Sequence, residues 1–284
     1  MKRRLVFPQL AWLLTAAAVS PSCSVFVDAG RPQCKSDVDC VGRGEGWEKA
    51  VCVDALCIAN PMWSCLDQPR TAPPDDGVFD VDLRLIDLLT QSPLSGVTAQ
   101  LCYRADAECS TPASDEVVSN NKGIASFRVP AGFDGYALLN GENIAPALYF
   151  LNPPIASDTE TPSIPLASRE VVDVLLQREG GMLGADRGIV VVTSQDCQGA
   201  PAAGVSYSAS NADKDTRTFY AVNNLPSTSL TSTDMSGYGG LINVPAGIVA
   251  IEGTLLETGE SLGKVGVLVR SDALTYTRMV PLGK

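Results

Sequence analysis

From Val78 onward the chain alternates. In FDVDLRLIDL, Phe79, Val81, Leu83 and Leu85 are apolar while Asp80, Asp82 and Arg84 are polar. A period of two with one apolar face predicts a half-buried strand. Asp87 to Gln91 reads as a turn, and Pro93 to Val97 leads into a second strand, VTAQLCY. IASFRVP (Ile124 to Pro130), YALLNG and ALYFLNPP (Ala147 to Pro154) continue the series, the last closed by prolines. A second set starts near Glu170-Val171. It contains the apolar strand GIVVVTSQDC (Gly188 to Cys197), then VSYSAS, Gly239 to Val244 and IVAIEGTLL. Gly263 to Arg270 and Ala273 to Val280 close it, joined by the short Ser271-Asp272 connection. Short strands at this spacing, with Gly/Pro turns and no long helical period, predict an all-β fold of two tandem Ig-like or prealbumin-like β-sandwiches.

The two sets are copies of one pattern. VSNNKGIASFRVPAG (Val118 to Gly132) and TSTDMSGYGGLINVPAG (Thr231 to Gly247) each run from polar residues through a glycine and a strand into Val-Pro-Ala-Gly. Upstream, Ser92 to Val97 matches Gly199 to Val205, and VTAQLC matches VSYSAS. The spacing differs: Val97 to Val129 is 32 positions and Val205 to Val244 is 39, with the extra seven assigned to a loop insertion within Asp213 to Thr228. The repeated residues have a structural reason. Asn120 or Asp234, three before the glycine, can bond backbone amides in an Asx-type turn, and Gly123 or Gly237 can take a positive φ before the next strand.

The N-terminus reads as an export signal. Met1-Lys2-Arg3-Arg4 is basic and Leu10 to Val19 is apolar, too short to span a bilayer. Ser20-Pro21-Ser22-Cys23 follows, and a cysteine just after such a segment resembles a bacterial lipoprotein signal. That resemblance implies cleavage before Cys23, a lipid on its thiol and, with Ser24 next, sorting to the outer membrane. The alternative is an ordinary secretory signal and a secreted protein. The expected partition is a signal peptide at 1–22, a cysteine-rich module at 23–68, a linker at 69–77, and sandwiches at 78–168 and 169–284.

Setting Cys23 aside leaves eight cysteines: Cys34, Cys40, Cys52, Cys57, Cys65, Cys102, Cys109 and Cys197. An even number in an exported chain points to disulfides. Cys34 to Cys57 is too short to bury a core of its own, so cross-links stand in for one. The interleaved pairing Cys34–Cys52 with Cys40–Cys57 is favoured over a nested one. Cys102 and Cys109 flank a polar loop and pair locally, which leaves Cys65 with Cys197. The spacings are not those of a zinc site. Asp37, Asp39 and Asp54 form at most a calcium candidate, and a solvated loop is the plainer reading.

Charge and composition narrow the function. With 21 basic and 32 acidic residues, net charge -11, the chain lacks the basic footprint of a nucleic-acid binder. It contains no histidine, which removes Ser-His-Asp, Cys-His and imidazole acid-base chemistry. No G-x-S-x-G elbow occurs, and Gly237-Tyr238-Gly239-Gly240 lacks the lysine of a phosphate loop. Asp80 and Asp82 share a strand face, which admits a paired-carboxylate hydrolase, but a solvent face is the simpler reading. Trp47, Trp63, Tyr149 and Phe150 are candidates for a sugar-stacking surface, with core packing as the competing reading.

The turn motif, Gly96-Val97 and Gly204-Val205 followed by Thr233-Asp234 through Gly237-Tyr238 and Val-Pro-Ala-Gly, resembles the carboxypeptidase regulatory-like family of small prealbumin-like sandwiches. The second copy matches better; Asn120 and Ile124 stand where Asp234 and Tyr238 stand. The resemblance implies accessory domains without catalytic residues or cofactor. The expected function is a non-catalytic envelope lipoprotein that binds or scaffolds a protein or carbohydrate partner and reaches the membrane through its lipid. The alternatives are a carrier or accessory subunit with a small ligand between the sandwiches, and a carboxylate-based hydrolase.

Overall fold

The computed structural model describes residues 32–36, 38–44, 47, 50–53, 55–58, 61–66, 76–179, 181–222 and 225–281. The signal segment, Cys23 and most of the expected linker lie outside the described residues.

A small module carries helix α1 (Val38–Val41) and the hairpin β1 (Val51–Val53) with β2 (Leu56–Ile58). The first copy comprises β3 (Val78–Asp87), β4 (Thr98–Tyr103), β5 (Val117–Val118) and β6 (Ile124–Pro130). It continues through β7 (Gly135–Asn140), β8 (Ala147–Phe150), β9 (Thr159–Glu160) and β10 (Ile164–Leu166). Helix α2 (Arg169–Arg178) leads to the second copy, which opens with β11 (Arg187–Ser194), β12 (Val205–Ala209), β13 (Arg217–Val222) and β14 (Leu225–Ser227). It ends with β15 (Tyr238–Pro245), β16 (Gly247–Leu255), β17 (Ser261–Val269) and β18 (Leu274–Met279). The fold is all-β, with tandem sandwiches preceded by a disulfide-rich module.

The repeat holds bond for bond. Ser119 Oγ accepts from Val97 N at 3.0 Å and donates to Leu94 O at 2.7 Å; Thr233 Oγ1 accepts from Val205 N at 3.0 Å and donates to Ala202 O at 2.8 Å. Asn120 Oδ1 accepts from Lys122 N at 2.8 Å, and Asp234 Oδ1 from Ser236 N at 2.9 Å. The following glycines sit at φ 73° and 70°, and their carbonyls accept from Leu85 N and Ser194 N at 2.8 and 2.9 Å. The alignment needs one correction. Gly96 to Gly123 is 27 positions and Gly204 to Gly237 is 33, so only six of the seven extra residues precede the glycine. The seventh is a bulge in β15, where the register against β11 shifts and Asn243 takes φ 59°, while β6 runs in unbroken register on β3.

The copies are joined edge to edge. Sheet order β10-β3-β6, with β9 also on β3, forms one layer, and β12-β16-β17 forms another. Between them a nine-stranded sheet runs β14-β13-β15-β11-β18-β8-β7-β4-β5. It unites a sheet from each copy through the parallel pairing of β18 with β8. Hydrogen bonding and packing therefore do not stop at residue 168. The two smaller sheets cover opposite faces of the large one. Alternate residues of β3 (Val81, Leu83, Leu85) enter the first core, as their period of two predicts. β11 serves both cores, with Ile189 and Val191 to one side and Val190 and Val192 to the other, which is why it reads as an unbroken apolar run. The chain's final strands, read as neighbours, belong to different layers: β17 pairs with β16, and β18 with β11 and β8.

Two elements depart from the expected pattern. The 213–228 insertion is not a plain loop. It contains the antiparallel hairpin β13–β14, which extends the sheet beyond β15. The connection between copies is α2. Ser168 caps it, Oγ accepting from Val171 N at 3.2 Å, and Glu170 and Arg178 suit its dipole. Val172 and Leu176, four apart, are buried.

Candidate ligand cavity

The second copy's part of the nine-stranded sheet has its own partner layer on one face only. Its other face is apolar too: Ile189 and Val191 on β11, Phe219 on β13, Ile242 on β15, and Leu274 and Tyr276 on β18. Register sets these side chains in rows, with Ile189 beside Leu274 and Val191 beside Tyr276. Helix α2 covers part of this face. Arg169 at its start pairs with Asp272 just before β18, at 3.1 Å. At its other end the Glu179 carbonyl accepts from Arg217 on β13 at 3.1 Å, so the helix spans the sheet from β18 to β13.

Beyond the helix a partly open cavity of about 190 Å³ remains. Val172, Leu175 and Leu176 of α2 bound it on one side, and Phe219, Ala221 and Pro226 of the inserted hairpin on another. Ile86, Leu88 and Pro165 from the first copy close it over. Polar groups are few and mostly engaged. Glu179 Oε2 accepts from Thr228 N and Oγ1 at 2.8 and 2.9 Å. Tyr276 donates to Pro165 O at 2.5 Å and Tyr238 to Ser163 O at 3.5 Å. Burial raises the pKa of both phenols, so they stay protonated donors. A mostly apolar concavity with a few fixed polar groups suits a small apolar ligand and offers no nucleophile–base pair.

Sequence reasoning singled out none of these residues as a site. The available signals were indirect: β11 apolar on both faces, a hairpin-length insertion in one copy only, and Tyr238 where the first copy has Ile124.

The residues it did single out fall elsewhere. Tyr149 and Phe150, on central strand β8, are 5% and 1% exposed. They cannot form a stacking surface with the tryptophans. Trp63 is half-buried against the second core, and Trp47 packs in the small module with the Arg43 guanidinium 5.5 Å from its ring. Asp80 is exposed and pairs with Arg128 at 3.3 Å, on the solvent face of β3. Gly239 and Gly240 lie in β15 under Tyr220 and Phe219, whose rings fill the space their side chains would take. Asp39 spends its carboxylate on the amides of Lys35 and Ser36 at 2.7 and 3.0 Å, while Asp37 and Asp54 lie outside the described residues.

Four disulfides occur among the described residues: Cys34–Cys52, Cys40–Cys57, Cys65–Cys197 and Cys102–Cys109. The sulfurs of Cys34, Cys40 and Cys57 lie within 4.8 Å of one another, but each is already bonded and offers no thiolate to a metal. Cys65–Cys197 ties the first module to the segment after β11. Among the described residues no helix is long and apolar enough to cross a membrane.

No family model matches the chain, and no curated protein matches it. Solved structures do. The shaft pilin SpaA from Lactobacillus rhamnosus GG is similar over 73% of this chain and 100% of its own, at 12% identity and a TM-score of 0.24. GBS52, a minor pilin of Streptococcus agalactiae, is similar over 72% of this chain and 96% of its own, at 15% identity and a TM-score of 0.24. An intradiol ring-cleavage dioxygenase from Tetranychus urticae covers 34% of this chain and 60% of its own, at 15% identity and a TM-score of 0.20. Likeness at this level says nothing of activity or partner.

Proposed function

We propose that this is a non-catalytic cell-envelope protein, tethered through lipid on Cys23, that holds a small apolar ligand between its two sandwiches. The observation that carries the reading is the apolar cavity under α2. Its walls come from the inter-copy helix and from a hairpin that only the second copy has. The carrier reading gains over a surface-binding one because two of the four proposed platform aromatics are buried. It gains over a hydrolase because the cavity's carboxylate, Glu179, is held by Thr228. The carboxypeptidase regulatory-like resemblance fits an accessory role of this kind.

A dry cavity of about 150 Å³ lined by Leu, Ile and Phe is large enough for benzene, so toluene is a suitable probe. Wild-type protein is expected to bind toluene in a ligand-observed NMR titration. Leu175→Trp, which fills the cavity from the helix, is expected to abolish binding while the melting temperature holds. Equal binding by both proteins would place toluene elsewhere and end this reading. Intact mass of membrane-extracted protein tests the anchor: an acyl-sized increment on an N-terminal Cys23 is expected, and a mature chain starting elsewhere would remove it.

A further inference from the structure

One row beyond the cavity, the same sheet face carries two buried polar atoms without a hydrogen-bond partner. Arg278 follows Tyr276 by two residues on β18, so it projects to the same side about 6.6–6.8 Å farther along the strand. Its register neighbour is Thr193, whose other neighbour is Tyr238, a residue of the cavity wall. Tyr149 lies beside Tyr276 on β8. The Tyr149 hydroxyl and Arg278 Nε are both buried with no hydrogen-bond partner. Burial raises the Tyr149 pKa, while the nearby positive charge of Arg278 pulls the other way, so the two groups sense each other. No ion pair engages Arg278 among the described residues; of its backbone, the carbonyl accepts from Asn152 Nδ2 at 2.8 Å. Arg278 as a whole is half-buried, but its Nε is an unpaired buried donor, which is costly to leave unmade.

Both orphan groups are donors, and one carries a positive charge. Their complement is an anionic oxygen acceptor at the end of an apolar body. We infer that the ligand is a small apolar monocarboxylate, its hydrocarbon part in the cavity and its carboxylate between Arg278 and Tyr149. This rests on the cavity reading above. Glu179 lies at the α2 and β13 side, away from Arg278, so the site's own acid does not compete for the cation. The one-row offset calls for a tether of two or three carbons between the apolar body and the acid.

The test uses 3-phenylpropionate and toluene as paired probes, titrated by NMR against wild type, Arg278→Met and Tyr149→Phe. Arg278→Met keeps the aliphatic stem; Tyr149→Phe removes one oxygen that bonds nothing, and melting temperatures check folding in both. The acid is expected to bind wild type and to weaken tenfold or more in Arg278→Met and several-fold in Tyr149→Phe. Toluene binding is expected to be the same in all three. If Arg278→Met weakens the acid and toluene equally, or neither, the carboxylate assignment is overturned while the cavity stands. If wild type binds neither probe, the cavity reading falls and takes this inference with it.

Discussion

Gly237→Ala against Gly204→Ala separates steric confinement from backbone conformation. Both glycines have positive φ, 70° and 81°. That region costs an L-residue roughly 1–2 kcal/mol, partly offset by about 0.4–1 kcal/mol from restricting the unfolded chain. Gly204 has open space where a methyl would go, so its substitution should cost about 0.5–1.5 kcal/mol. At Gly237 the same methyl would stand 2.5 Å from Ser194 O and 3.0 Å from Ala202 N. Those two atoms are bonded to each other, Ala202 N donating to Ser194 O at 3.0 Å, and the neighbouring Ser194 N donates to Gly237 O at 2.9 Å. Overpacking adds about 1–3 kcal/mol and each loosened bond about 1 kcal/mol, so Gly237→Ala should cost about 3–5 kcal/mol. Urea unfolding at constant slope reads the difference as a shift in midpoint. Equal costs for the two substitutions would mean that the doubled turn is set by conformation alone and that the close approach to Ser194 is immaterial. Gly123→Ala is the matching test in the first copy, where the methyl would stand 2.3 Å from Leu85 O.

Three further expectations can be checked with the same unfolding assays. Ser168→Ala removes the α2 cap and should cost about 1 kcal/mol, with Ser168→Asp restoring most of it. Opening Cys65–Cys197, which spans 132 positions, with paired serines should cost up to about 5 kcal/mol on the chain-entropy account; opening Cys102–Cys109, which spans 7, should cost about half that. No difference between the two would refute the loop-length argument. The hydrogen bond and charge of Arg187, with the Asp215 amide, hold the Asp213 carboxyl well below its usual value. A depressed pKa gives stability that is present above the unfolded value, near pH 4, and is lost as pH falls toward the folded one. Asp213→Asn should therefore flatten the acid side of the stability profile below about pH 4 and leave its slope near neutrality unchanged.

The strands were legible because one face of each meets a core and the other meets water. β3 and β6 show that alternation plainly. The doubled turn was legible because a side-chain acceptor, a positive-φ glycine and a following strand leave few choices of residue. Helix α2 was not, since ten residues with Ser168 and an apolar spacing of four are a weak signal inside a chain of strands. The sharing of one sheet by both copies was not legible either. The β8–β18 pairing joins strands over 120 positions apart, and no local pattern encodes which edge meets which. The cavity followed from those two hidden features, so no residue of it could be named from periodicity.

The edge-to-edge joint also explains why a cavity exists at all. Pairing β18 with β8 removes two exposed strand edges, a stable arrangement for a β protein. It also places the two small layers on opposite faces, displaced along the nine-stranded sheet. The second copy's outer face is then apolar and only half covered by β3 and β10. The first copy's outer face is apolar too, with Cys102, Tyr136, Leu148 and Phe150 buried in the second core. In the second copy, α2 and the β13–β14 hairpin supply the cover and stop short of filling it. Were it closed and dry, a cavity of 190 Å³ would cost at most about 4.5 kcal/mol at 24 cal/mol per Å³; being partly open, it costs less. Ala221 and Val172 stand on its wall, so a larger side chain at either would narrow it. On the reading proposed above, the space beside Ala221 and Val172 is filled by a ligand and not by a side chain.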